Sequence, residues 1–360
     1  MGRSWVQTWL VRAGKAGERE RWALTTGHTG GGFGGVVDLS GAATRDAVLD
    51  EVLVAKPDAK DQAARNFTAQ LWALRERISV GDLVVMPLKS SPHIAIGRVT
   101  GGYRYLGGEL EPERRHVRPV EWLVTDLPRT VIKQDLLYSL GAFSTVCELS
   151  RNDAAWRLQQ LLTDGRDPGS RTPMASVKTG RKSNGAGDDA VDDATDSAQL
   201  GVDVEQYAID RIASRLIETF AGHRLADLTA AVLQADGFTC EVSPEGTDQG
   251  VDIIAGTGTL GLGEPRLVVQ VKSEAGQVGL PVVQQLQGAM AAHGAVGLLV
   301  AWGGITKQAR QYLSTQRFAI KVWNSEDLLA RVFQHYAALP ADVRADLPLK
   351  QVWTLVEETG

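Results

Sequence analysis

Cysteine is nearly absent from this chain: Cys147 and Cys240 are its only two in 360 residues. They fall far apart in apolar surroundings. That argues against a disulfide framework or a zinc cluster and suits a reducing cytoplasm. Long apolar runs are missing too, so no membrane span is expected. The N-terminal stretch lacks the basic segment and apolar core of a secretory signal. Nor is positive charge in excess: 38 Lys and Arg against 43 Asp and Glu leave a net charge of −5. This balance does not announce nucleic-acid binding, and it does not exclude it. DNA asks only for a local basic surface, and a site for a hard metal ion needs acidic ligands. No internal repeat is evident. What remains is an ordinary globular composition, 43% hydrophobic and 22% charged, in a chain long enough for two domains.

The clearest boundary lies at 164–200. This segment is rich in Gly, Ser, Thr, Pro and charge, basic in its first part (Arg166, Arg171, Lys178, Arg181, Lys182) and acidic in its second (Asp188, Asp189, Asp192, Asp193, Asp196). It cannot bury enough surface to offset its ordering entropy and reads as a flexible linker. Before it, residues 1–150 form the first domain. Strand-like runs occur at Trp5–Arg12, Asp82–Met86, His93–Val99 and Val120–Val124, and helical spacing at 43–54 and 66–78. The expected fold is a small mixed barrel with helices packed on it.

Residues 201–336 form the second domain. Asp203 can cap a helix whose apolar residues Val204, Ala208, Ile212, Leu216 and Phe220 recur every four positions. A second helix runs from Arg224 to Ala235 and stops at Gly237. Strands are predicted at Thr239–Val242, Val251–Ala255, Leu267–Lys272, Gly297–Ala301 and Ala319–Trp323. Helices follow from Pro281 to His293, over Thr306–Gln316 and over Ser325–Tyr336. Strands of near-continuous Val, Leu and Ile alternating with helices imply an α/β sandwich around a central mixed sheet. The extension 337–360 has apolar character and is expected to pack back on a domain.

Chemistry concentrates at Gly250-Val251-Asp252-Ile253-Ile254 and Leu267-Val268-Val269-Gln270-Val271-Lys272, separated by a glycine-rich turn. The pattern is that of a β-hairpin. Period two places Gln270 and Lys272 on one face of their strand and Val269 and Val271 on the other. Polar residues in an otherwise buried strand are costly unless paired or functional. Phosphodiester hydrolysis needs oxygen ligands for a hard divalent ion and a cation for the charge that develops at phosphate. Asp252 suits a metal ligand, Gln270 a neutral oxygen ligand or water-orienting group, and Lys272 the cation. The residues alone equally allow a buried Asp–Lys pair that satisfies only itself.

The wider context resembles a known family. The order Gly246-Thr247-Asp248-Gln249-Gly250-Val251-Asp252, a strand ending in Val269-Gln270-Val271-Lys272, and a helix with Gln285-Leu286-Gln287-Gly288-Ala289 is similar to the Mrr-like branch of the PD-(D/E)xK nucleases. The likeness continues through Gly297-Leu298-Leu299-Val300-Ala301-Trp302 and Ile320-Lys321-Val322-Trp323, and covers residues 205–335. It implies a restriction-endonuclease-like fold, Mg2+ or Mn2+ as cofactor, double-stranded DNA as substrate, and Asp252, Gln270 and Lys272 as the catalytic set. The sequence departs from the family at one point. A Glu usually placed on the helix before the first strand is Ala226 here. Asp227 is adjacent but turned about 100° around the helix, and Glu218 lies on the preceding helix; either could complete the metal site. Asp248, in the turn before Asp252, reads as a capping residue.

Residues 4–125 resemble the PUA-like superfamily, which includes the EVE, YTH and SRA readers of modified bases. The resemblance rests on Trp9-Leu10-Val11-Arg12-Ala13-Gly14, on Gly32-Phe33-Gly34 with Asp38, and on Val80-Gly81-Asp82-Leu83-Val84-Val85 followed by Ile96-Gly97-Arg98-Val99-Thr100-Gly101. By position, Phe33, Asp38 and Trp72 are the candidates for a base pocket, with core packing as the competing role. Arg98 and Arg104, with Arg114, Arg115 and Arg118, could meet phosphates. The glycines from Gly30 to Gly35 are not a phosphate loop, because no Gly-Lys-Ser/Thr follows. Together the two resemblances imply a modification-dependent restriction enzyme acting against foreign DNA in the cytoplasm, as a homodimer or larger homo-oligomer. A nucleic-acid-binding regulator that has lost activity and a structure-dependent repair nuclease are the alternatives.

Overall fold

A computed structural model describes residues 6–141, 144–171, 204–244, 246, 250–315 and 319–353. The chain divides into two compact units. One comprises Met1–Leu127 and Ile132–Tyr207; the other comprises Pro128–Val131 and Ala208–Val356, each counted over its described residues.

In the first unit the order is β1 (Thr8–Val11), α1 (Glu20–Thr26), β2 (His28–Gly30), α2 (Arg45–Ala55), α3 (Asp61–Trp72), β3 (Leu83–Pro87), β4 (His93–Val99), β5 (Arg104–Tyr105), β6 (His116–Pro128), α4 (Gln134–Leu140), β7 (Val146–Glu148) and α5 (Ala154–Asp164). The strands form one curled sheet in the order β2-β6-β4-β3-β1-β7, with β5 also on β6. β1 and β3 run parallel; β3–β4, β1–β7, β2–β6 and β5–β6 are antiparallel. The central strands β3 and β4 are apolar almost throughout because both faces are covered. One face packs Trp9, Val84 and Val99 against Val48, Val52, Leu71 and Leu74 of the α2–α3 layer. Further along the same strands, Met86 and Ala95 pack with Ala23 of α1 in a second cluster. Thr44 caps α2 through the Ala47 N–H. A π-turn, Ala73–Arg77, ends α3. Arg118 closes it: the buried guanidinium donates to the Leu74 and Arg75 carbonyls at 2.5 and 2.7 Å. The phosphate contact expected of Arg118 therefore gives way to a helix cap.

The predicted tether also begins too early. Asp167 is buried, and its carboxylate meets Arg157 of α5 at 2.6 Å while accepting the Lys133 and Gly169 N–H groups. Composition near 165 resembled a linker because the one carboxylate that anchors it is indistinguishable, in sequence, from a solvated one. From 172 to 203 the expected linker lies outside the described residues, as does the Asp203 cap.

The second unit runs α6 (Val204–Phe220), α7 (His223–Ala235), β8 (Thr239–Val242), β9 (Ile253–Thr257), β10 (Gly263–Lys272), α8 (Leu280–His293), β11 (Val296–Ala301), α9 (Lys307–Ser314), β12 (Ile320–Trp323), α10 (Ser325–His335) and α11 (Ala341–Asp346). Its sheet has the order β12-β11-β10-β9-β8. β10, β11 and β12 are parallel; β8, β9 and β10 are antiparallel. Alternate residues feed two cores. Ile253, Val269, Leu298 and Val300 pack against Leu216 of α6, Leu228 and Val232 of α7, and Leu329 of α10. Val268, Leu299 and Ala301 pack against Val283 and Leu286 of α8 and Ala309 of α9. This is a three-layer α/β/α sandwich with a mixed sheet.

The helix boundaries follow local chemistry. Gly237 takes φ +94° after α7. Pro281 occupies the first turn of α8. Thr306 caps α9 through the Ala309 N–H, and Asn324 with Asp327 forms a reciprocal cap on α10. The stripe predicted for α6 holds only in part: Val204 and Ala208 are exposed, whereas Ile209, Ile212, Ala213, Leu216, Ile217 and Phe220 face the core. A strict spacing of four drifts about 40° per step around a helix, so it cannot stay on one face. Beyond α10, Leu339, Val343 and Leu347 join the core beneath α6 and α7. The Tyr336 hydroxyl donates to the Leu347 carbonyl and accepts the Leu349 N–H, each at 2.8 Å.

Candidate active site

β10 is the middle strand of its sheet, and it carries Gln270 and Lys272 on the face covered by α8. Val268, two residues earlier, packs with Val283 and Leu286 of that helix. Val269 and Val271 point the opposite way, toward the α6–α7 layer. On the neighbouring strand Ile253 pairs with Val269. The regular register ends there, and the next residue, Asp252, bonds through its N–H to the same Val269. Gln270 and Lys272 thus lie on one side of the sheet, with Asp252 just before the start of the adjacent strand.

Asp252 stands just before β9, where the ladder loosens. Its N–H donates to the Val269 carbonyl at 2.9 Å, its carbonyl accepts the Ser243 N–H at 2.9 Å, and its Oδ2 accepts the Val271 N–H at 2.6 Å. The carboxylate replaces a missing backbone partner and is held beside Gln270 by that bond.

Gln270 is completely buried. Its Nε2 donates to Oε1 of Gln285 on α8 at 3.2 Å. Its Oε1 is buried with no hydrogen-bond donor. A buried acceptor left unpaired costs about 1–3 kcal/mol, so this oxygen is suited to a ligand that brings positive charge. Lys272 is half-buried and makes no ion pair among the described residues. The self-satisfied Asp–Lys pair is therefore not formed; the ammonium is available to an anion.

Asp252 and Gln270 fit a hard cation as two oxygen donors. Among the described residues no group of three or more His, Cys, Asp or Glu side chains gathers to hold a metal. Asp227 and Glu218 are both exposed. Ala226 is buried in the core between α7 and the sheet. Glu245 and Asp248, in the turn before Asp252, lie outside the described residues.

In the first unit the three residues expected at a base pocket stand in different settings. Phe33 is core, 2% exposed, edge-on to Phe67 and His116; it offers no free ring face for stacking. Asp38 is exposed and spends Oδ1 on the Ser40 N–H and hydroxyl. Trp72 is half-buried with the Arg75 guanidinium 5.9 Å from its ring. Arg104 is exposed; Arg98 donates to the Gly81 carbonyl at 3.3 Å. Sequence reasoning missed a buried chain beside Phe33. The Leu39 N–H donates to Tyr103 Oη, the Tyr103 hydroxyl meets His116 Nδ1 at 2.8 Å, and His116 Nε2 donates to the Val36 carbonyl at 3.0 Å. Burial lowers the His116 pKa below its ordinary 6.5. It raises that of Tyr103.

Residues 217–332 match the Mrr catalytic-domain family, described as restriction endonuclease. The second unit therefore contains a region that matches the Mrr type of restriction-endonuclease domain. Residues 9–150 match a domain of unknown function, DUF8426. No curated protein matches the sequence. Similar solved structures include a protein of unknown function, AF1548, at 17% identity over 29% of this chain and 64% of that one, with a TM-score of 0.24; the chain thus spans less than two thirds of that protein. The DNA modification-dependent restriction endonuclease AspBHI is similar at 14% identity over 79% of this chain and 72% of its own, with a TM-score of 0.31. The MspJI restriction endonuclease, solved with a 27-mer oligonucleotide, is similar at 13% over 81% and 70%, with a TM-score of 0.32. No helix among the described residues is long and apolar enough to cross a membrane.

Proposed function

We propose that the protein is a divalent-metal-dependent endonuclease for double-stranded DNA that carries modified bases, active in restriction of foreign DNA in the cytoplasm. The observation that carries this reading is the unpartnered, fully buried Oε1 of Gln270, on the same sheet face as an unpaired Lys272 and one strand from Asp252. Asp252 and Gln270 would hold Mg2+ or Mn2+. The chemistry such an ion supplies when bound is acidification of water and neutralisation of phosphate charge. Lys272 places an ammonium where negative charge grows on the phosphate during attack, and its half-buried position strengthens that attraction over its value in bulk water. Asp252, fixed by the Val271 N–H, keeps its carboxylate from turning away.

The modified-base part of the proposal rests on a separate first unit and its resemblance to PUA-like readers. Trp72, Asp38 and Arg104 are its reachable candidates for DNA contact. Phe33 supports the loop from within. Cutting both strands requires two sites, so a homodimer on DNA is part of the reading. The test is cleavage of phage genomes bearing different cytosine and adenine modifications, with Mg2+ or Mn2+, by wild type and Lys272→Ala. Wild type should cut a modified genome and spare its unmodified counterpart, and the variant should lose at least about 100-fold in rate, the scale of a removed transition-state contact.

A second reading, a DNA-binding regulator without activity, is favoured by one observation: buried Ala226 stands where the family places a Glu. Absence of cleavage of every substrate with either metal, alongside measurable DNA binding, would establish it.

A further inference from the structure

The geometry assigns to Gln285 the role of a positioning residue that fixes which end of the Gln270 amide faces the metal-binding side of the site. The inference rests on the nuclease reading above and deepens it.

A glutamine amide can be turned end for end at almost no steric cost. The turn exchanges an acceptor for a double donor. At an exposed position this is inconsequential. At Gln270, which is completely buried, it decides the chemistry. With Oε1 outward the side chain offers a partial negative charge to a cation; with Nε2 outward it offers two N–H groups that repel one. A neighbour bonded to one end of the amide biases the choice, and an acceptor-only carboxylate in its place would bias it at least as strongly as a second amide. Among the described residues Gln270 has one side-chain partner, Gln285, whose Oε1 accepts from Gln270 Nε2 at 3.2 Å. That bond ties down the donor end and leaves Oε1 the buried atom without a donor.

The backbone is shaped to admit Gln285. Gly250, two residues before Asp252, has φ +79°, a conformation that L side chains rarely adopt. A Cβ built there would overlap the Gln285 side-chain amide, Nε2 included. The missing side chain at Gly250 is the space that the Gln285 amide occupies. Gln285 also comes from the middle of α8, between Val283 and Leu286, both fully buried against the sheet. Core packing fixes the helix that carries it, while Gln285 itself is exposed and reaches the buried amide from the rim. Removing it leaves the fold's apolar contacts in place but frees the Gln270 amide to turn. Partners that orient a ligating group typically matter 10–100-fold in metal affinity.

The test is Mn2+ binding to the full-length protein without DNA, by titration calorimetry, for wild type, Gln285→Met and Gln285→Glu. Methionine keeps the length and removes the acceptor; glutamate keeps the acceptor. Gln285→Met should bind Mn2+ at least about 10-fold more weakly, and Gln285→Glu should restore binding to near the wild-type value. In cleavage assays Gln285→Met should need correspondingly more metal for half-maximal rate and approach the wild-type rate at saturation. A merely structural role predicts a lower unfolding midpoint with unchanged Mn2+ affinity, which overturns the inference and leaves the nuclease reading intact. Wild type that takes up no Mn2+ and cuts no DNA removes the nuclease reading and this inference with it.

Discussion

Replacing Arg157 by methionine isolates the ion cluster that pins residues 165–170 to the first unit. The guanidinium is fully buried and uses all five of its N–H donors. Nε and Nη2 reach Asp167 at 2.7 and 2.6 Å, Nη1 and Nη2 reach Asp135 at 2.6 and 2.8 Å, and Nη1 also reaches the Asn152 carbonyl at 3.1 Å. Methionine fills much of the volume but strands the Asp167 carboxylate, whose side chain is 0% exposed. Asp135 matters less, because its side chain is 27% exposed and water can serve it. Removing one partner of a buried pair costs about 3–5 kcal/mol. Asp167 keeps the N–H groups of Lys133 and Gly169, which argues for the lower end, about 3 kcal/mol, or roughly 6–12 °C in melting temperature for a unit of this size. Adding Asp167→Asn to Arg157→Met removes the stranded charge and should recover about 1 kcal/mol or more. Urea unfolding of the full chain, followed by tryptophan fluorescence, measures both. Burial raises the Asp167 pKa, but the Arg157 bonds and the two backbone N–H groups outweigh it and hold the carboxyl below its ordinary 3.8. This contribution is therefore complete above pH 3.8 and is lost as pH falls through the depressed value. A loss under about 1 kcal/mol for Arg157→Met, or a double variant less stable than the single one, refutes the argument.

His116 is held neutral by burial, so the unfolded chain takes up a proton before the folded one does. Stability should be full above pH 6.5 and decline below it, by up to about 1.4 kcal/mol per pH unit for that one proton; His116→Gln should flatten this part of the pH profile of the urea midpoint. Tyr336→Phe deletes one hydroxyl that serves both the Leu347 carbonyl and the Leu349 N–H. It should cost about 1–2 kcal/mol and expose the 347–349 segment to proteolysis without slowing cleavage, and an unchanged digestion pattern speaks against the clamp.

Sequence made the second unit more readable than the first for a physical reason. Its strands are long enough to show their period, and its helices carry self-contained end signals at Thr306, Asn324 and Pro281. The first unit is stitched from β2, β5 and β7, strands of three, two and three residues. No periodicity can be read from such lengths. Phe33 shows a second limit: an aromatic among glycines has the same local pattern whether it walls a pocket or fills a core, and only burial separates the two. Within the site, Gln270 and Lys272 could be placed on one face from alternation alone. Gln285 could not, because its meeting with Gln270 depends on how α8 is rotated over the sheet after the crossover from β10. The anchoring of the 165–170 stretch by Asp167 is hidden for the same cause, as its partner Arg157 is set by where α5 packs.

β10 is bonded to a neighbour along both edges, whereas Asp252 lies past the end of β9, where the regular ladder gives way to irregular bonds from its N–H to Val269, from Ser243 to its carbonyl and from the Val271 N–H to its carboxylate. The two sides of the site consequently differ in compliance. The amide and ammonium groups ride on an unyielding floor, and whatever adjustment the site makes to the width of a bound helix falls to the acidic side.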